Sequence, residues 1–407
     1  MKRFDAETGN VRATVVGSLL VDDQALNEAA RRVAQVAARF ADAVDRDARF
    51  PTEAIDAMRE ERLLGALVPV ELGGRGASLA AVAGACQIIG QACSSAGMIY
   101  AMHQTQVASI IDHALSHDWH RNFAAQLAQR EWLLASATSE EEVGGNLRNS
   151  RCAVEANDNT FTLSKLAPTI SYGAHADAIL VTARRDKDAP AAEQVLVTLP
   201  KENVTLTRRS GWDTFGMRGT CSEGFALDAR GRCEQILPVP FAQIAERSMV
   251  PTSHILWSAV WTGIATDAFL RAHQFFRAQM QKQGGALPPS GRRIAEALAL
   301  LQSMQARIEA ALRTYGQGAA RTWSASMAQA AEINTLKTYV STTALEVVKH
   351  AMMICGMASY KNGTPYTLGR HIRDLHSAPL MISNDRIEAN TANLLLALRS
   401  ATLEREI

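Results

Sequence analysis

The sequence predicts a mainly α-helical protein built around one central β-domain. Two observations carry this reading. Trp132 to Asp228 is the only long region of short apolar or β-branched runs, such as Phe161-Thr162-Leu163, Ala178-Ile179-Leu180-Val181-Thr182 and Gln194-Val195-Leu196-Val197-Thr198-Leu199, with turn formers between them. On both sides of it, apolar residues recur at helical spacing. The organisation expected is an N-terminal helical domain at 1–130, a β-domain at 131–235 and a C-terminal helical bundle at 236–407.

The elements follow in order. Residues 1–21 are weakly patterned. Asp22 to Asp47 is a helix with Leu26, Ala29, Ala30, Val33, Val36, Ala37, Phe40 and Val44 on one face. Phe50-Pro51-Thr52-Glu53 starts a second helix, because proline and an acidic residue suit a first turn. It ends near Gly65, before an irregular loop from Val68 to Gly76. Ser78 to Gln91 and Gly97 to His117 are apolar helices, and Asp118 to Arg130 is a shorter one. In the β-block, Val143 to Asn146, Asn157-Asp158-Asn159, Asp186 to Pro190 and Arg230-Gly231-Arg232 read as turns. Val250 to Gln283 is a long helix that a Gly/Pro break closes. Two more helices show faces through Ile294, Leu298, Leu301, Met304, Ile308, Leu312, Tyr315 and through Ile333, Leu336, Val340, Ala344, Val347, Ala351. A last helix spans about Asn384 to Thr402, and the set makes a bundle.

The totals exclude several classes. A chain of 407 residues, 47% hydrophobic and 20% charged, is globular. With 42 basic and 41 acidic residues the net charge is +1, so nothing points to nucleic acid. The basic pairs Arg184-Arg185, Arg208-Arg209 and Arg292-Arg293 are scattered and read as solvated surface. The six cysteines form no C-x-x-C pair, so no metal site is expected and free thiols in a reducing compartment are. No apolar run suggests a leader or a membrane span, and a cytoplasmic location is expected.

Several local motifs carry a resemblance. They are Phe50-Pro51 followed by Gly65-x-x-x-Pro69-x-x-x-Gly73-Gly74-x-Gly76, then Gly173-x-x-Ala176-Asp177, Phe215-Gly216-Met217-Arg218-Gly219-Thr220, and Gly369-Arg370-x-x-Arg373-Asp374. In this order and spacing the chain resembles the acyl-CoA dehydrogenase superfamily over about residues 22–400. The resemblance implies that superfamily's fold: a helical domain, a β-barrel-like middle domain and a four-helix bundle. It also implies a flavin, FAD with FMN as the alternative.

A flavin ring needs an apolar wall, donors at its polar edge and positive ends for its phosphates. By resemblance the donors come from Ala137 to Asn146, with Thr138, Gly144 and Gly145 as flavin contacts. This loop departs from T-E-P-G-x-G-S-D: it lacks the proline and carries Glu140, Glu141 and Glu142, read as a solvated turn edge. Gly145 or Asn146 falls where the family's CoA-contacting serine stands. Thr169-Ile170-Ser171 takes the place of W-I-T against the flavin, with the Ser171 hydroxyl or N–H at the N5 edge. The R-x-x-F-G motif that reaches a neighbour's FAD is not intact at Arg277 to Gly285, and Q-x-x-G-G-x-G survives only as Gly356.

The base of a dehydrogenase is the missing part. The resemblance puts it eight residues after Asp374, which is Ile382, or near the start of the first bundle helix, which is Ser253-His254. Neither place holds a carboxylate. His254, His103 and Asp385 are the substitute catalytic candidates, and Gln104, Ser253 and Ile382 the substrate-side candidates. Bland roles stand beside these: Asn384 and Asp385 as helix caps, and Glu388 as an exposed helix residue. Three functions follow. The first is α,β-dehydrogenation of an acyl thioester on CoA or acyl-carrier protein, by proton abstraction and hydride transfer to flavin N5. The second is a flavin monooxygenase or oxidase that uses O2, and the third a binding protein without turnover. The implied acceptor is an electron-transferring flavoprotein or O2. The implied assembly is a homotetramer, with a dimer as the alternative.

Overall fold

The structure, a computed structural model, describes residues 24–143, 147–316 and 326–398. Helix α1, Gln24–Arg46, buries Leu26, Ala29, Ala30, Val33, Ala37, Ala41 and Val44. Phe40, expected on that face, is 36% exposed. Helix α2, Thr52–Glu60, follows Pro51, and Arg49 grips Glu53 in its first turn at 2.8 and 2.9 Å. It stops at Glu60, short of Gly65. The glycine-rich loop then folds back on itself, with Gly76 N donating to Val68 O and Ala77 N to Ala66 O. Helix α3, Leu79–Ala92, is capped by the Ser78 hydroxyl, and α4, Ser94–His113, begins three residues before the expected Gly97. Helix α5 is Asp118–Arg130.

The middle region holds two sheets. One has the order β1 (Leu134–Ala137), β4 (Ala178–Arg184), β5 (Gln194–Pro200), with β1 parallel to β4 and β5 antiparallel to it. Central β4 is buried from Ala178 to Ala183, which explains its unbroken apolar sequence. The other sheet is antiparallel, in the order β2 (Glu155–Asn157), β3 (Thr160–Ala167), β7 (Gly224–Arg232), β6 (Val204–Ser210). Strand β3 alternates exposed and buried along its length, so one face meets solvent. The two sheets do not close into a barrel, a correction to the barrel-like expectation. Isolated bridges, Ala153 to Arg184 and Val197 to Ile236, touch the smaller sheet without joining the two ladders. Arg230-Gly231-Arg232, expected as a turn, is the end of β7 paired with Thr160 to Thr162.

A π-helical turn at Ala245–Met249 leads into α6, Val250–Lys282. Helices α7 (Gly291–Gly316) and α8 (Met327–Cys355) complete the bundle with α6, and α10 (Asn384–Ala397) packs on α8. A Ser326/Gln329 capping box starts α8. Helix α6 lies between α3 and α8 and is buried on nearly every side from Pro251 to Thr266. Its approach to α3 needs glycine. A Cβ on Gly263 would overlap the Gln87 carbonyl oxygen, and one on Gly90 would sit 2.9 Å from Val260 O.

The short helix α9, Gly369–Leu375, ties the three regions together. Asp374 Oδ1 accepts from Met217 N at 2.7 Å. Arg373 forks onto Asp45 of α1 and donates to Phe215 O at 3.0 Å. Gly216 lies so close that a Cβ there would overlap Arg373 O. Among the described residues no helix is long and apolar enough to cross a membrane.

The crossing predicts that Gly263→Ala destabilises the protein by about 1–3 kcal/mol through overpacking. Thermal unfolding followed by far-UV circular dichroism reads it. A melting temperature equal to wild type would mean the helices do not meet there.

Candidate functional site

The loops that follow β1 and β3 meet at a line of hydroxyls. Thr138, Ser139, Thr169 and Ser171 are half-buried, while Ile170 between them is fully buried. Ser139 Oγ donates to Thr169 O at 2.8 Å. Ile170 N donates to Glu223 O and Tyr172 N to Thr220 O, both at 2.8 Å, which clips the loop to Thr220–Glu223. The Tyr172 hydroxyl donates to Leu134 O at 2.9 Å. Thr220 Oγ1 donates to Met217 O, so in the chain Ser171–Ser222–Thr220 each hydroxyl donates toward Thr220. That order leaves the Ser171 oxygen with acceptor capacity at the open end. An apolar residue behind a hydroxyl edge suits the rim of a flavin ring, so Thr138, Thr169, Ile170 and Ser171 fit the group expected there. Gly144 and Gly145 lie outside the described residues.

The glutamates divide. Glu141 and Glu142 are exposed, but Glu140 is 6% exposed, a correction to the solvated-edge reading. It accepts from Ser150 Oγ, Arg151 N and Cys152 N at 2.7, 3.0 and 2.7 Å, and buried Lys165 lies 3.7 Å away. It is an internal anchor for the segment that leads to β2.

A second cluster lies between α6 and α8. His254, Trp257, Ser258 and Trp261 are spaced to share one face of α6, and Ile333, Lys337 and Ser341 one face of α8. His254 Nδ1 lies 3.3 Å from Ile333 O and donates to it, which leaves Nε2 as a lone-pair nitrogen. That Nε2 is buried without a partner, and so are Trp257 Nε1, Ser258 Oγ and Trp261 Nε1. Burial, then the nearby Lys337 charge, lowers the His254 pKa to about 3, so the ring is neutral and a weak base at pH 7.

Lys337 is 0% exposed. Its ammonium donates to Ile382 O and Asn384 Oδ1 at 2.7 Å each and lies 5.8 Å from the Trp261 ring centre. Asn384 exchanges hydrogen bonds with Ser341. Burial lowers the Lys337 pKa to about 8, with Glu388 opposing. Ile382 has φ +50, a costly value for a β-branched residue, and the Lys337 bond to its carbonyl helps hold it there. Arg148 donates to Asn390 of α10 at 3.3 Å, which ties the middle region to that helix.

The remaining candidates do not gather here. His103 is fully buried, with Nε2 donating to Leu64 O at 2.8 Å and Nδ1 accepting from Leu134 N at 3.0 Å. Both nitrogens are used by backbone groups, which leaves neither free to take a substrate proton in this arrangement. Gln104 Nε2 likewise bonds Leu63 O and Leu64 O. Ser253 donates to Val250 O within its own helix. Asp385 is exposed in the first turn of α10, and Asn384 points its side chain at Lys337 instead of capping. Arg277 and Gly356 are exposed on α6 and past the end of α8. Sequence reasoning missed Lys337, Trp257 and Trp261. Their signal was phase: Lys337 falls inside the face set by Ile333, Leu336 and Val340.

A cleft of about 540 Å³, lined by Ala48, Arg208, Gly211, Trp212, Asp213, Cys221 and Glu223, lies beside the hydroxyl chain. It takes the alternate residues Cys221 and Glu223, whereas Ser222 bonds Ser171. Among the described residues no group of three or more His, Cys, Asp or Glu could hold a metal.

The family model for the acyl-CoA dehydrogenase N-terminal domain matches residues 21–131, and that for the C-terminal domain matches residues 252–382. The chain is 26% identical over 359 residues to the amino sugar nitrososynthase DnmZ of Streptomyces peucetius, covering 83% of this chain and 84% of that one. It is similar in fold to FMN-bound TdsC of Paenibacillus sp. A11-2, with a TM-score of 0.81, 21% identity and coverage of 92% and 98%. It is also similar to butyryl-CoA dehydrogenase of Megasphaera elsdenii, with a TM-score of 0.79, 19% identity and coverage of 93% and 99%.

The His103 geometry makes a prediction about acid. Burial lowers its pKa from 6.5 to about 4. The stabilisation is therefore present above pH 6.5 and is lost as pH falls toward about 4, by on the order of 3 kcal/mol when complete. His103→Gln should flatten the fall in denaturant midpoint across that window. A variant profile as steep as wild type would remove His103 as a source.

Proposed function

The chain belongs to the acyl-CoA dehydrogenase family, and from that premise we propose that this flavoenzyme is a monooxygenase or oxidase that uses O2. One observation carries the choice. The place of the family's base holds Ile382, and Asp385 and Glu388 on α10 are exposed. That supports a wall of apolar groups and hydrogen-bond donors, with Glu388 as an exposed carboxylate beside Lys337 and, among the described residues, no carboxylate at the family's base position. A bound reduced flavin would supply the two electrons needed when one atom of O2 enters substrate and the other leaves as water.

The chain's own residues do the rest. Ser171, at the acceptor end of its hydroxyl chain, would receive an N–H from the cofactor rim. Ile170 would back the ring, and α6 would present Trp257 and Trp261 to the substrate. FAD is the cofactor of this reading and FMN the alternative, with Arg277 and Gly356 exposed where a flavin shared across a homotetramer or dimer could reach them. The electrons would come from a separate reductase.

A second reading keeps acyl-thioester dehydrogenation, on CoA or acyl-carrier protein, with an electron-transferring flavoprotein as acceptor. It is favoured by His254 Nε2, a buried lone pair without a partner at the family's other base position. The low basicity of that ring counts against it.

The test extracts the bound flavin for mass analysis, then reduces the loaded protein with dithionite under argon and mixes it with aerated buffer. Return of the oxidised spectrum at least as fast as for free reduced flavin is expected. Reduced flavin that persists in air, together with anaerobic bleaching by a CoA thioester, would reverse the choice between the two readings.

A further inference from the structure

The strip between α6 and α8 contains an imbalance that the flavin reading does not use. Lys337 is buried with no ion-pair partner among the described residues. Two of its N–H groups go to Ile382 O and Asn384 Oδ1, and one is left without a partner among the described residues. On α6, Trp257 Nε1 and Trp261 Nε1 are buried donors without acceptors, and the Trp261 ring lies 5.8 Å from the Lys337 ammonium. Trp257 and Trp261 lie 6.4 Å apart, and His254 is 6.0 Å from Trp257. Buried donors left unmade are costly, so a cluster of them marks a place that a ligand or water fills. A cation and two indole N–H groups can only donate. Their complement is an anionic oxygen, and the indole faces suit a flat ring.

We infer that Lys337, Trp257 and Trp261 form a subsite for a small aromatic or heteroaromatic group bearing an anionic oxygen, such as a carboxylate or phenolate. The inference rests on the reading of this strip as the substrate side of the site. The titratable groups that face Lys337 are His254 from α6 and Glu388 from α10. His254 stays neutral above pH 5, so the charge that changes near neutrality is that of Lys337. Anion binding is therefore present below about pH 8 and lost as pH rises through it.

The probe is benzoate, with benzyl alcohol as its neutral counterpart, titrated into the purified full-length protein while tryptophan fluorescence is read. Saturable quenching by benzoate is expected, weakening at least tenfold in Lys337→Met and severalfold in Trp257→Phe, with benzyl alcohol unaffected by the lysine change. Trp257→Phe keeps the ring and leaves the Lys337 bonds intact, so it reads the subsite even where Lys337→Met fails to fold. Affinity of the wild-type chain should also fall between pH 7 and pH 9. Absence of saturable quenching, or equal benzoate affinity in wild type and Trp257→Phe, overturns the inference. Benzoate binding in a chain that holds no flavin would uphold the subsite while the proposed function fails. A flavin-loaded chain that reoxidises rapidly but ignores benzoate would do the reverse.

Discussion

The contact on which the rest of the structure depends is the grip of α9 on two distant parts of the chain. Asp374 accepts the Met217 N–H inside the protein, and Arg373 holds Asp45 and Phe215 O. Burial pushes the Asp374 carboxyl pKa upward, and the charge of Arg370 with the Met217 hydrogen bond offsets part of that cost. Gly216 is what lets the strands' connection come near enough. The segment that follows α9 carries Ile382 and Asn384, so this clasp also sets where those residues lie relative to the middle domain. The Arg148–Asn390 contact repeats the tie one helix later.

Around that frame the polar interior follows two different logics. Glu140 and His103 are consumed by their partners, and His103 joins segments that are far apart in sequence. Such groups are buried because they are satisfied. His254, Trp257, Trp261 and Lys337 are buried and only partly satisfied. A fold tolerates that at sites kept for a ligand, and a left-handed isoleucine beside them is a further local cost of the same kind. Here an aliphatic residue, Ile382, meets a lysine that spans from α8 to the loop.

Periodicity and motif order in the chain determined the helical regions, the central β-block and the family. Those signals are local: apolar spacing selects helix or strand, and glycines must sit where two backbones nearly touch, as at Gly216 and Gly263. The loop positions of Thr138, Thr169 and Ser171 follow from where the strand patterns end, which is also a local signal. Only the tertiary structure decided that the sheets stay separate, that Glu140 turns inward while its two neighbours face water, and that His103 is a backbone bridge. Lys337, Ile382 and Asn384 meet from positions 45 and 47 residues apart. Which polar side chains a buried interface satisfies, and which it leaves for a ligand, depends on those long-range contacts and is not written in local spacing.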